Sequence, residues 1–213
     1  MLYEQITPKT PDVYLSIANC YKMTKNYDRA VAYMNSAIKL DPADSDLYYN
    51  LALIYLDKKD LKGAQRSLDK AVGLNKHNIK AVKLAKHVAQ RGTDEALNKA
   101  HSAFEKRNYQ ETLKILFEAQ KKDPQEPQIY YYIGRTYDAQ GKYPQAMENY
   151  QATLKADRNF DAAYFAIAQI LERYGRGKDA LEAYERFLGG DSRDKDMIKK
   201  AQERMLELSK IYY

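Results

Sequence analysis

The chain is poor in side chains that carry out chemistry. Its three histidines, His77, His87 and His101, stand at no metal-ligand spacing from one another, whereas a zinc site gathers three or four His, Cys or acidic ligands. Cys20 is the single cysteine, so no internal disulfide can form, and its place on the first helix reads as a small buried apolar residue. There is no glycine-rich phosphate loop and no nucleophile motif, and the carboxylates are scattered along helix surfaces. Catalysis is disfavoured by this inventory, and no cofactor or metal is expected.

The polar residues are better suited to binding. Residues 1–92 carry 15 Lys and Arg against 9 Asp and Glu, while residues 93–213 carry 20 of each, so the whole net charge of +6 sits in the first part. No acidic residue occurs between Asp69 and Asp94, and Lys76, Lys80, Lys83, Lys86 and Arg91 crowd that stretch. Two readings stay open for it: a solvated helix face, or a docking patch for an acidic partner or a phosphate backbone. Nucleic acid ranks behind protein as a partner, because no aromatic stacking platform is interleaved with these cations.

The elements that must position these residues repeat every 34 residues. From Pro11 to Asp44 the pattern is Tyr14, Ile17, Ala18, Tyr21, Ala30, Met34 and Ala37, and from Ser45 to Asn78 it is Tyr48, Leu51, Ala52, Tyr55, Ala64, Leu68 and Ala71. It returns as Tyr130, Ile133, Gly134, Tyr137, Ala146 and Tyr150, then as Tyr164, Ile167, Ala168, Leu171, Ala180 and Tyr184. The small residues let paired helices approach and the tyrosines fill the space between successive pairs. All six prolines fall where a helix starts or just after one ends. No run of 18 apolar residues is present, so no membrane-spanning helix is expected.

This pattern resembles the tetratricopeptide repeat family, with departures at Phe187 and Thr153, where small residues are usual and local repacking is expected. The resemblance implies an all-α, right-handed α-solenoid of helix hairpins: about five repeats, an extra central helix and a C-terminal capping helix. We divide the chain into a remnant of a preceding repeat (1–10), an N-terminal block (11–92) and a C-terminal block (93–213). The first block holds repeats 11–44 and 45–78 and a lone basic helix, 79–92. The second holds repeats 93–126, 127–160 and 161–194 and a capping helix, 195–213. The turn at Arg107-Asn108 reads as one residue short. A rival division pairs Ile79–Arg91 with Asp94–Lys106 and leaves Tyr109–Lys122 single. Leu2, Tyr3, Ile6 and Pro8 match the end of a repeat whose beginning is missing, which suggests that the natural protein extends further and that an apolar end could self-associate.

The resemblance also places the first helix of each pair on a concave, partner-binding face. In the first block that face holds Asn19, Asn50, Lys80 and Lys83. Asn19, Asn50 and Lys80 match three of the five places with which chaperone-binding members hold a peptide's terminal carboxylate, but Leu15 and Leu84 stand where the other two cations belong. A chaperone tail is therefore disfavoured. The asparagines either hold the backbone of another peptide or are merely solvated. In the second block the face holds Tyr131, Tyr132, Arg135, Phe165, Gln169 and Arg173, a mixture of exposed aromatics and arginine typical of interfaces; the tyrosines could equally complete interhelical packing. The function expected is a non-catalytic scaffold that binds a protein or peptide partner, with acidic-surface or nucleic-acid binding through residues 76–91 as the alternative.

Overall fold

The computed structural model describes residues 10–212, and among them every regular element is a helix. In order these are α1 (Pro11–Met23), α2 (Tyr27–Leu40), α3 (Ser45–Asp57), α4 (Leu61–Leu74), α5 (Ile79–Glu105), α6 (Tyr109–Lys122), α7 (Pro127–Ala139), α8 (Tyr143–Ala156), α9 (Asp161–Arg173), α10 (Gly177–Leu188) and α11 (Lys195–Tyr212). The expected repeat remnant at Leu2 to Pro8 lies outside the described residues. The chain divides into two compact units, Met1–Asp94 and Glu95–Tyr213.

One local design recurs in the hairpins. The side chains of Thr10, Asn26, Asp60, Asn78 and Asn108 each accept the N–H three residues on, satisfying a donor that a helix start leaves open. Pro11 and Pro127 open α1 and α7, where the missing N–H costs nothing. At each turn the N–H of Asn26, Asp60, Asn108, Lys142 and Arg176 reaches back five residues to a carbonyl. That closure needs a left-handed residue, with φ of 59°, 63° and 55° at Lys25, Lys59 and Arg107 and of 72° and 68° at Gly141 and Gly175. The turn at Arg107 shares the geometry of the other four, so the deficit expected there is not found.

In the first unit, Ala18, Ala30, Met34, Ala37, Leu47, Leu51 and Ile54 form one buried cluster, and Ala52, Ala64, Leu68 and Ala71 close on Ala81 and Val88 of α5. In the second, Leu97 and Ala100 of α5 pack on Leu116 and Ala119 of α6 and on Ile129 and Ile133 of α7, and further clusters join α8 to α9 and α9 to α10 and α11. The repeat's small residues are all buried. Tyrosine hydroxyls do more than meet water: those of Tyr48 and Tyr130 donate to the carbonyls of Pro42 and Pro124, at 3.3 and 2.8 Å, pinning each helix to the loop before it. The two departures are absorbed locally. Thr153 donates its hydroxyl to the carbonyl of Asn149 at 3.0 Å, and Phe187 packs on Phe165 at 5.2 Å between centroids.

The expected division is corrected at α5, which is one helix of 27 residues rather than a lone helix followed by a new one. It starts 34 residues after the start of α3 and ends 34 residues before the end of α7, so it is the first helix of two repeat frames at once. The 14 extra residues make about 3.9 turns, and Gly92, whose cost against alanine is about 1 kcal/mol, does not interrupt them. The rival division fails as well, since it needs a turn between Arg91 and Asp94. On α5, Ala81 and Val88 are buried while Val82 and Ala89 are exposed. Cys20 is exposed too: Ala18 is buried, and a residue two positions on does not share its face.

Candidate protein-interaction site

The expected residues of the first unit are spread over three helices. Asn19 on α1 and Asn50 on α3 are half-buried, and Lys80 and Lys83 on α5 are exposed. The amide nitrogen of Asn50 donates to the carbonyl of Asp46 at 2.8 Å, which ties the side chain to its own helix. Asn78 donates to Ser45 Oγ and Asp46 Oδ1, both at 2.8 Å, holding the start of α5 against α3. Among the described residues no hydrogen bond joins any two of Asn19, Asn50, Lys80 and Lys83.

The second unit brings its expected residues closer together. An open cleft of about 540 Å³ is lined by Phe104 from α5, Tyr131, Arg135 and Asp138 from α7, Tyr150 from α8, Phe165, Gln169 and Arg173 from α9, and Met197 from α11. Five expected residues, Tyr131, Arg135, Phe165, Gln169 and Arg173, are thus brought together. Tyr132 stands beside them, packed on the α5–α7 cluster and edge-on to His101 at 6.4 Å. Two aromatics are less exposed than expected. Phe165 is buried against Tyr184 and Phe187 and forms the floor, while Tyr131 is half-buried against Phe160 at 4.9 Å and Tyr150 at 5.8 Å.

Arg135 is the centre of this arrangement. Its guanidinium lies 5.1, 5.9 and 5.7 Å from the ring centroids of Phe104, Tyr131 and Tyr132, distances at which a cation is drawn to the ring face. Arg173 sits similarly over Tyr143 at 5.2 Å. Burial pushes the Tyr131 and Tyr150 hydroxyls above the usual tyrosine range. Burial also raises the Asp138 carboxyl above the ordinary aspartate range, against the opposing pull of Arg173 and Arg135. The cleft thus has partly buried aromatics at its floor and both arginines and carboxylates, Arg135, Arg173, Asp138 and Asp194, at its walls.

Phe104 is a lining residue that the expected binding set does not include. It lies 34 residues before Asp138, in the same register position, and that spacing is the signal that could have found it. Tyr150 and Met197 carry no comparable mark, because one comes from a second helix and the other from the capping helix.

Comparison with known families settles what the repeat is. A tetratricopeptide repeat model matches residues 23–88 and 103–170, more than half of the chain. The chain belongs to the tetratricopeptide repeat family. Among curated relatives, this tetratricopeptide repeat protein is 24% identical over 180 residues to BBSome complex member BBS4 of Bos taurus, covering 84% of this chain and 32% of that protein. It is 21% identical over 181 residues to the type IV pilus assembly protein PilF of Pseudomonas aeruginosa, covering 84% and 66%. The chain thus spans only part of the length of both. Among solved structures, the P58(IPK) TPR domain superposes with a TM-score of 0.51 at 14% identity, covering 95% of this chain and 56% of that one. The yeast Sti1 TPR2AB domain in a pHSP90 complex gives 0.50 at 17%, covering 95% and 86%. Identities this low establish the helix-hairpin fold and leave the ligand open.

Proposed function

We propose that this tetratricopeptide repeat chain is a non-catalytic scaffold that takes a segment of a partner protein into the cleft of its second unit and so supports assembly of a larger complex. The observation that carries this reading is the position of Arg135, boxed by Phe104, Tyr131 and Tyr132 at the wall of an open cleft. Rigid aromatics beside arginine bury much area at small entropic cost, which is how interfaces concentrate binding energy. The fold accommodates such segments elsewhere: the first TPR of RPAP3, similar to 56% of this chain at a TM-score of 0.50, is bound to an HSP90 peptide.

The test is a selection of peptides of about twelve residues, displayed at random, on the intact chain, followed by photocross-linking. A benzoylphenylalanine replaces Gln169 in the cleft or, as a control, Gln151, which is exposed on α8. Selected peptides should cross-link from position 169 and not from 151. Peptides that cross-link only from the control position, or a selection that enriches none, would refute the reading.

A further inference from the structure

We propose that the segment received by the cleft is acidic, its carboxylate held by the guanidinium groups of Arg135 and Arg173 beside an apolar side chain seated over Phe104, Tyr131 and Phe165, with Asp138 as the residue that limits affinity. This rests on the reading of the cleft as a partner site.

Both guanidiniums lie within cation–π distance of rings, Arg135 of three and Arg173 of Tyr143. An arginine drawn to a ring in this way still carries a fork of N–H donors that a carboxylate can match. Among the described residues neither forms an ion pair, whereas Arg176, Arg186 and Arg204 of the same unit pair with Asp179, Glu182 and Glu172. On the other side stand two carboxylates at the cleft. Asp194 is engaged, since it accepts the N–H groups of Asp196 and Met197 at 3.1 and 3.0 Å and caps α11. Asp138 lies near both guanidiniums without forming an ion pair with either; burial raises its pKa and their attraction opposes that rise.

The cleft therefore presents two guanidiniums that no carboxylate of the described residues pairs with, in partly buried surroundings. There a charge-assisted hydrogen bond is about twice as strong as a neutral one. An acidic segment satisfies the guanidiniums, while a neutral or basic one leaves them as they were. The incoming carboxylate must also approach Asp138, and like charges at short range in a partly desolvated site oppose each other.

Peptides from the selection described above supply the probe, with affinity read by fluorescence anisotropy on the intact chain. Enriched sequences are expected to carry Asp or Glu next to a large apolar residue. Arg135→Gln and Arg173→Gln should each weaken them about tenfold or more, and Asp138→Asn should tighten them. Replacing the peptide's acid by its amide should abolish the effect of both arginine variants, which ties the loss to that contact. Arg173 is exposed, so its variant keeps the test valid should Arg135→Gln perturb folding, which circular dichroism reports. Peptides that cross-link from position 169 but are neutral or basic, or whose affinity is unmoved by Arg173→Gln, would overturn the acidic preference while leaving the cleft as the site. Peptides that cross-link only elsewhere would remove the site and this inference with it.

Discussion

Gly134→Ala should destabilise the second unit even though alanine is the better helix former. A Cβ at position 134 would stand 2.7 Å from Cδ1 and Cε1 of Tyr150 and 3.2 Å from its Cζ, well inside ordinary carbon contact. The ring cannot retreat easily, because Tyr150 is 1% exposed and packs with Ala146, Ala163, Ala166 and Ile170, under Tyr131. Overpacking of this kind costs about 1–3 kcal/mol, and the gain in helix propensity returns up to about 1 kcal/mol. The net loss is about 1–2 kcal/mol, or a Tm lower by roughly 4–8 °C for a unit of this size. Gly92→Ala is the matched control. It lies inside α5, where an added Cβ would meet nothing within 4 Å, so it should gain up to about 1 kcal/mol. Urea unfolding followed by circular dichroism measures both. If Gly134→Ala matches the parent or exceeds it, the close approach of Tyr150 to α7 is not what the glycine is for.

The turns give a second prediction: Lys59→Gly should stabilise by about 0.5–1 kcal/mol and Gly141→Ala should destabilise by about 1 kcal/mol, since both positions have positive φ; shifts of the same sign in thermal melts would contradict it. A third concerns Glu172. Burial alone would raise its pKa, but hydrogen bonds from Arg204 and Tyr184 outweigh burial and hold it below the usual glutamate range. A lowered carboxyl pKa contributes stability above the unfolded value near 4.3 and loses it as pH falls through the folded one. Glu172→Gln should thus cost about 1 kcal/mol above about pH 5, discounted for the half-exposed Arg204, and the gap to the parent should close toward pH 3; urea midpoints across that range that keep a constant gap would refute it. A fourth is that Phe187→Ala should cost about 3–5 kcal/mol, because the ring is fully buried against Phe165; a loss below about 1 kcal/mol in the same assay would show that the site refills.

Hairpins, turns and seams are legible in the sequence because each is local or periodic. Ala30, Ala64, Ala146 and Ala180 must be small wherever the second helix meets the first, and the prolines mark starts and stops. The continuity of α5 is not legible. At 100° per residue, Ala81 and Val88 share one face, while Ala100 lies about a third of a turn and Leu97 nearly half a turn away, so no single apolar stripe runs through the helix. The sequence pattern breaks near Gly92 because the buried face changes, although the backbone hydrogen bonding does not. In the cleft, the arginines can be read from register alone, but the burial of Phe165 cannot. It depends on Phe187, an unusual residue from the neighbouring helix, sitting behind it.

The cleft draws Met197 from the last helix and Phe165 from the hairpin that this helix covers. On the proposed reading, occupancy and the docking of α11 are linked equilibria: whatever a ligand contributes to the assembled wall must be lost before that helix can fray. Amide exchange along 195–212 should therefore slow when the cleft is filled, and a truncation that removes α11 should loosen the grip on the ligand by the same free energy.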